Sequence, residues 1–214
     1  MQWALLLLLS ASPAAAEPQG AFASCEAAIR AAQAAQHLPT GLLSALALVE
    51  SGRPDPRMGT VRPWPWTINV EGQGLFFANK ASAVAAVQVL QASGIRSIDV
   101  GCLQVNLLHH PAAFASLEQA FDPTANARYA ARFLAALHDR SQDWMQAAGD
   151  YHSQTPTLGA AYRSRVLARW HPPGLTDRSY AAFAPSEVAY GDFSRHEAAY
   201  ADFAPASAQR VRKR

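Results

Sequence analysis

The sequence predicts a mainly α-helical domain that carries one small β-hairpin. Alanine is abundant, whereas Val, Ile and Thr are sparse outside a few short stretches, and this composition favours helices. Apolar residues recur at helical spacing in most segments, which are bounded by caps, prolines and glycines. The clearest β pattern consists of two β-rich runs, 66–70 and 74–77, separated by Glu71-Gly72-Gln73, which is typical of a hairpin.

The individual elements follow from local signals. Thr40 is a candidate N-cap and Gly52 a candidate C′ residue of one short helix, and Asp122-Pro123 is an N-cap followed by proline at the first helical position. A third short strand is expected at 97–100. The predicted helices cover residues 24–36, 40–51, 80–93, 101–109, 111–120, 122 to about 138, 143–152 and 157–170.

The N-terminus predicts export. Residues 1–16 contain an apolar run, Leu5 to Leu9, and end in an A-x-A cleavage pattern, although this start lacks Lys and Arg. We therefore predict a signal peptide over 1–16, a periplasmic mature protein and no membrane-spanning segment. The formal net charge of the chain is +2, which gives no indication of nucleic-acid binding.

The two cysteines, Cys25 and Cys102, predict one disulfide in an oxidising compartment. Such a bridge would join the first mature helix to the segment around Gly101. Spacing alone does not show that the sulfurs meet, so a second reading stays open, in which Cys102 is a nucleophile with a histidine as its base.

The domain boundary is predicted near Pro172-Pro173, so that residues 17–172 form the domain and 173–214 a tail. Tyr and Phe recur in the tail at intervals of ten, and the last five residues include four basic ones. Few large aliphatic residues are present, which is typical of disorder. The tail is either a solvated terminus or a segment that docks on a partner through its spaced aromatic residues.

Glu50 is the strongest candidate for a chemical role. At helical spacing it shares one face with the apolar residues Leu43, Leu46 and Ala47. Burial and the negative end of the helix dipole both raise the pKa of a carboxyl group there. A carboxylic acid that stays protonated near neutral pH is suited to general acid catalysis. The alternative is a glutamate that turns towards water at a frayed helix end.

Three motifs in order resemble those of the family 1 lytic transglycosylases, which have a goose-type-lysozyme-like domain and cleave peptidoglycan. They are Glu50-Ser51 at a helix end, Gly101-Cys102-Leu103-Gln104 in place of Gly-Leu-Met-Gln, and Tyr151-His152-Ser153 in place of Tyr-Asn-Ala. The resemblance covers roughly residues 25–170. It is closest to small exported members that are associated with flagella and secretion systems, given the segments 63–67 and 99–102.

The resemblance implies a reaction that needs one carboxyl group and neither metal nor cofactor. Glu50 would protonate the oxygen between MurNAc and GlcNAc and then accept the proton of the muramyl C6 hydroxyl, giving a 1,6-anhydro product. Tyr151 would hydrogen-bond Glu50 and fix its orientation. Residues expected to bind glycan, by resemblance or as aromatic platforms beside the hairpin, are Ser51, Gln104, Asn106, Trp64, Trp66 and Phe77.

The implied partners are peptidoglycan strands and a flagellar or secretion-apparatus protein that would bind the tail. Two other functions stay open. A hydrolytic muramidase would use water and a second carboxylate such as Asp99. A non-catalytic module would bind glycan or an assembly protein without cleaving anything.

Overall fold

The computed structural model describes residues 18–170, and the predicted signal peptide and tail lie outside them. This part of the chain is mainly α-helical with small antiparallel sheets, which confirms the predicted fold class at that level. Its helices are α1 (Pro18–Ala35), α2 (Leu42–Ser51), α3 (Lys80–Ala92), α4 (Leu117–Ala120), α5 (Pro123–Ser141), α6 (Trp144–His152) and α7 (Pro156–Leu167).

The strands form two antiparallel sheets. They are β1 (Gly52–Asp55), β2 (Thr60–Pro63), β3 (Thr67–Val70), β4 (Gln73–Phe76), β5 (Asp99–Val100) and β6 (Val105–Asn106). Strands β1 and β2 pair with each other, and the other four lie in the order β4-β3-β5-β6. The predicted hairpin is β3-β4, and the strand expected at 97–100 is present as β5.

Side-chain caps explain where several helices begin. The side chains of Asn79, Asp122 and Asp143 accept main-chain N–H groups of the first turns of α3, α5 and α6. The prediction of Thr40 as the cap of α2 is wrong. The N-cap is Gly41, which has a φ of 82° and offers no side chain, and α2 begins one residue later.

The tight turn of the β3-β4 hairpin has two residues, Glu71 and Gly72, with φ values of 52° and 82°. Positive φ at both central positions twists a hairpin in the direction that its strands require, and glycine adopts it without steric cost. The Asn69 side chain supports the turn by accepting a hydrogen bond from the Gly72 N–H.

Two other segments differ from the sequence prediction. No helix covers residues 101–109, because a turn at 101–104 leads into the two-residue strand β6. Of the helix expected at 111–120, only the short α4 forms. The β1-β2 hairpin lies in a stretch rich in proline and glycine, where no strand was predicted.

Two apolar cores support these elements. The larger core includes buried side chains of α1, α2, α5, α6 and α7, and the smaller one packs the β3-β5 region against α3 and the start of α1. The disulfide belongs to the larger core. Within residues 18–170, none of the helices combines the length and the apolar character needed to cross a membrane.

Candidate active site

Glu50 lies in the last turn of α2, where the helix passes directly into β1. Leu43, Leu46 and Ala47 are fully buried, which confirms the apolar face that the sequence predicted. Glu50 itself is partly buried. A carboxyl group therefore ends the buried face of a helix and keeps some contact with solvent.

The surroundings raise the pKa of Glu50 from 4.5 to about 7. Burial is the largest cause, because it removes water that would stabilise the charged form. A hydrogen bond from Tyr162 opposes this effect, the negative charge of Asp99 adds to it, and the positive charge of Arg165 opposes it. The direction agrees with the prediction, and near neutral pH both protonation states of Glu50 are populated.

Tyr162 on α7 orients Glu50. Its hydroxyl donates to Glu50 Oε1 over 2.5 Å, and its ring is buried. The imidazole of His152 stacks on this ring at a centroid distance of 4.7 Å and an interplanar angle of 8°, and the Arg165 guanidinium lies 5.3 Å from the ring centroid. Burial and the adjacent carboxylate hold the pKa of Tyr162 well above 10, so the hydroxyl remains a donor.

The hydrogen bond that the resemblance assigned to Tyr151 thus comes from Tyr162. The Tyr151 hydroxyl instead donates to the main-chain carbonyl of Leu103 over 2.7 Å. Sequence reasoning missed Tyr162 because it lies eleven residues beyond Tyr151 on the next helix, outside the three motifs.

The turn at 101–104 is fixed from several sides. The predicted disulfide is confirmed, with Cys25 and Cys102 bonded and their Cα atoms 5.9 Å apart. The Ser51 hydroxyl donates to the Cys102 carbonyl over 2.7 Å. Ser51 is buried and holds the turn against α2, so its donor is already used within the protein. Cys102, being bridged, is not a free nucleophile.

Asn126 on α5 holds the same turn from the opposite side, and sequence reasoning missed it. Its Oδ1 accepts the N–H of Leu103 over 2.9 Å, and its Nδ2 donates to the carbonyls of Val100 and Ala120. This fully buried amide therefore has its hydrogen bonds satisfied. An asparagine at helical spacing from Ala130 and Leu134 is the signal in the sequence that would have pointed to it.

Gln104 ends the turn with a φ of 43°. Its Nε2 donates to the carbonyls of Thr67 and Gly101 over 3.1 and 2.9 Å. The residue is only 9% exposed, and its Oε1 is buried and has no hydrogen-bond partner among residues 18–170. A buried acceptor without a partner is unfavourable, because burial removes the water that would otherwise donate to it.

Asp99 and Asn106 form a pair beside Glu50. Asn106 Nδ2 donates to Asp99 Oδ1 over 2.7 Å and to Ser97 Oγ over 3.1 Å. Burial raises the pKa of Asp99 to about 7, although the Asn106 hydrogen bond lowers it. Asn106 Oδ1 accepts two main-chain N–H groups, so this predicted glycan-binding residue is largely engaged within the protein.

The predicted aromatic platforms are mostly part of the core. Trp64 and Trp66 are buried and meet edge to face at 5.2 Å, and Trp64 Nε1 donates to the Phe77 carbonyl. Phe77 is partly buried against the same core. The exposed aromatic residue of the hairpin is its neighbour Phe76, at 44%.

No family model, no curated protein and no solved structure matches this chain. Within the described part of the chain, no group of three or more His, Cys, Asp or Glu side chains is placed to hold a metal ion.

Proposed function

We propose that this chain is a peptidoglycan lytic transglycosylase with a lysozyme-like helical domain. It would act in the periplasm after export by residues 1–16. Its substrate would be the β-1,4 bond between MurNAc and GlcNAc. It would need neither metal nor cofactor.

The observation that carries the proposal is the state of Glu50. A partly buried carboxyl group with a pKa of about 7 is able to give a proton and to take one back at physiological pH. Tyr162 holds the carboxyl in one orientation, and the Ser51 hydroxyl ties the turn that contains Gln104 to α2. These features are typical of a catalytic site.

In the proposed reaction, the Glu50 carboxyl group transfers its proton to the glycosidic oxygen as the bond from that oxygen to C1 of MurNAc breaks. GlcNAc leaves with a free 4-hydroxyl group. The Glu50 carboxylate then accepts the proton of the C6 hydroxyl, and O6 bonds to C1 to give the 1,6-anhydro ring. Glu50 ends protonated, and no water is consumed.

Mass spectrometry of digested cell wall tests this function. We expect muropeptides with 1,6-anhydro ends from the wild type and none from Glu50→Gln, which keeps the shape of the side chain but transfers no proton. Reducing ends would reject the transglycosylase. Binding of glycan without any cleavage would favour the non-catalytic module.

One observation favours a second candidate, a hydrolytic muramidase. Asp99 is close enough for its charge to raise the pKa of Glu50, so a second carboxyl group is near the proposed acid. A hydrolase would need that group to activate water or to stabilise the sugar cation. Asp99→Asn separates the two functions. In a transglycosylase we expect cleavage to persist with a shifted pH profile, whereas in a hydrolase cleavage would be abolished.

The cellular role that we propose is local opening of the wall for an envelope-spanning assembly, such as a flagellum or a secretion system. Support for this role comes only from the likeness of segments 63–67 and 99–102 to the small exported members of the family. A protein of that assembly would bind residues 173–214. Pull-down with the isolated tail peptide, compared with a peptide in which its Tyr and Phe residues are Ser, tests this partner.

A further inference from the structure

An arginine with aromatic neighbours lies three residues after the proposed acid. Arg53 is on β1, so its Cα atom is at most about 11 Å from that of Glu50 along the chain. Its guanidinium is 4.7 Å from the ring centroid of Trp64 and 5.8 Å from that of Phe76. These cation–π contacts hold the positive charge over an aromatic surface.

Among residues 18–170, no carboxylate neutralises the charge of Arg53. Its register partner Arg62 forms salt bridges with Glu26 and Asp55, at 2.7 and 2.8 Å. Arg53 forms no salt bridge with any carboxylate in residues 18–170. Aromatic rings therefore orient this guanidinium, and no carboxylate of the described residues pairs with it. Such a cation is able to bind an anionic group of a ligand.

Phe76 links this cation to the turn that contains Gln104. It is 44% exposed on the edge strand β4, and its register partner is Thr67 on β3. The Thr67 carbonyl accepts both Gln104 Nε2 and the N–H of Gly101. Thr67 therefore connects the strand that carries the exposed ring to the turn that contains Gln104.

We infer that Arg53 and Phe76 form a subsite for a carboxylate-bearing sugar, with the ring of Phe76 against the apolar face of the pyranose and the Arg53 guanidinium bound to the carboxylate. On peptidoglycan strands without stem peptides, the lactyl ether of MurNAc carries a free carboxylate, whereas on peptide-bearing MurNAc this group is an amide; GlcNAc carries no carboxylate. This inference rests on the proposed function, because it specifies which sugar of the substrate the site distinguishes.

The test measures binding by calorimetry to full-length mature protein that carries Glu50→Gln, which prevents cleavage. The two probes are the alternating GlcNAc-MurNAc tetrasaccharide without peptides and the GlcNAc tetrasaccharide, which has no carboxylate. We expect Arg53→Gln to weaken binding of the first probe about tenfold and to leave the second unchanged. Arg96→Gln, at an exposed position before β5, is the matched control and should change neither.

Phe76→Ser should weaken binding of both probes by a similar factor, since the ring contacts the sugar and not the carboxylate. Its control is Val89→Ser, an exposed apolar residue on α3, which should have no effect. For Arg53→Gln the comparison of two probes guards against misfolding, because a misfolded variant loses both; for Phe76→Ser an unchanged thermal midpoint provides that control.

The outcomes separate failure of the subsite from failure of the proposed function. If Arg53→Gln weakens both probes equally or neither, or if Phe76→Ser changes nothing, the subsite is wrong. If the Glu50→Gln protein without a further substitution binds the two probes equally, the subsite is wrong while the proposed function stands. If it binds neither probe and the wild type leaves cell wall intact, the subsite and the proposed function both fail.

Discussion

At Glu50, burial and hydrogen bonding act on the pKa in opposite directions. Burial favours the protonated acid, whereas the Tyr162 hydroxyl and the Arg165 charge favour the carboxylate. Their balance sets the pKa at about 7, where one group serves as acid and as base with little cost in either state. The residues that control this balance lie on three different elements, α2, α7 and β5.

Tyr162→Phe removes the hydrogen bond that favours the carboxylate, so the pKa of Glu50 should rise further. We expect the alkaline limb of the pH–activity profile to move to higher pH. Activity at its optimum should fall about tenfold or more, because the carboxyl loses its fixed orientation. NMR titration of the Glu50 carboxyl carbon measures the pKa directly, independent of catalysis.

Two further Tyr→Phe changes serve as controls for that experiment. The Tyr129 hydroxyl is hydrogen-bonded to His110 Nδ1 at 2.8 Å, and the Tyr151 hydroxyl donates to the Leu103 carbonyl. Both variants should lose stability and leave the pKa of Glu50 near the wild-type value. A large shift in Tyr151→Phe alone would instead support the hydrogen bond that the motif resemblance implied.

Stability should also depend on the ionisation of Glu50. Its pKa is raised from 4.5 to about 7 on folding, so the folded chain binds more protons than the unfolded chain between these values. This contribution to stability is complete below pH 4.5 and is lost as pH rises through 7. Glu50→Gln removes it, so from pH 5 to 8 the variant should gain on the order of 1–3 kcal/mol relative to wild type.

Urea unfolding at pH 5, 6, 7 and 8 measures this difference. Burial lowers the pKa of His110 to about 4, so His110 makes the protein more stable as pH rises, the opposite of Glu50. This contribution is the same in wild type and Glu50→Gln, so it cancels in the difference between them. Asp99 has a raised pKa and the same sign as Glu50, so Asp99→Asn should behave similarly. Parallel curves for wild type and Glu50→Gln would show that Glu50 ionises as it does in the unfolded chain.

The turn at 101–104 depends on a close approach between two elements. Gly101 has a φ of 83°, and a Cβ placed on it would lie 2.4 Å from Asn126 Nδ2. Gly94 has a similar φ of 89°, with nothing within 4 Å of a Cβ. The two glycines therefore separate backbone strain from steric overlap.

We expect Gly94→Ala to destabilise the protein by about 1 kcal/mol through its backbone alone. Gly101→Ala should cost about 1–3 kcal/mol more, because Asn126 must move and its hydrogen bonds weaken. It should also reduce activity, since the turn positions Gln104. Thermal unfolding measures the stability and wall-clearing assays measure the activity. Equal destabilisation by the two variants would show that Asn126 moves aside without a loss of stability.

Several of the elements that the sequence predicted have local causes. Side-chain caps define α3, α5 and α6, and Glu71-Gly72 defines the β3-β4 hairpin. The helix predicted at 101–109 does not form, because contacts with residues far along the chain determine the conformation of that segment. These contacts are the disulfide and the hydrogen bonds to Tyr151 and Asn126. The β1-β2 hairpin was missed because proline in β1 and β2 argues against strands.

For the site, the sequence predicted the position and the raised pKa of Glu50, because both follow from helical periodicity. It assigned the Glu50 hydrogen bond to Tyr151 and missed Tyr162, since which of two tyrosines reaches a carboxyl group depends on how α6 and α7 pack. The engagement of Ser51 and Asn106 with the protein itself is likewise a matter of tertiary contacts.

At the scale of the whole molecule, both cores and the proposed site lie within residues 18–170. Trp170 closes this region by donating its indole N–H to the Thr40 carbonyl over 2.9 Å. Deleting residues 174–214 should therefore leave the thermal midpoint within a few degrees of the full chain and retain most cleavage of isolated wall. A collapse of either would show that the tail belongs to the catalytic fold.

The disulfide between α1 and the turn at 101–104 affects when a newly made chain acquires its folded site. In a reducing cytoplasm the two thiols stay apart, and the turn lacks its covalent tie to the first helix. An activity that depends on the placement of Gln104 would then mature only where thiols are oxidised. If the chain is exported and cleaves glycan as proposed, it would stay harmless to glycan precursors until it has crossed the membrane.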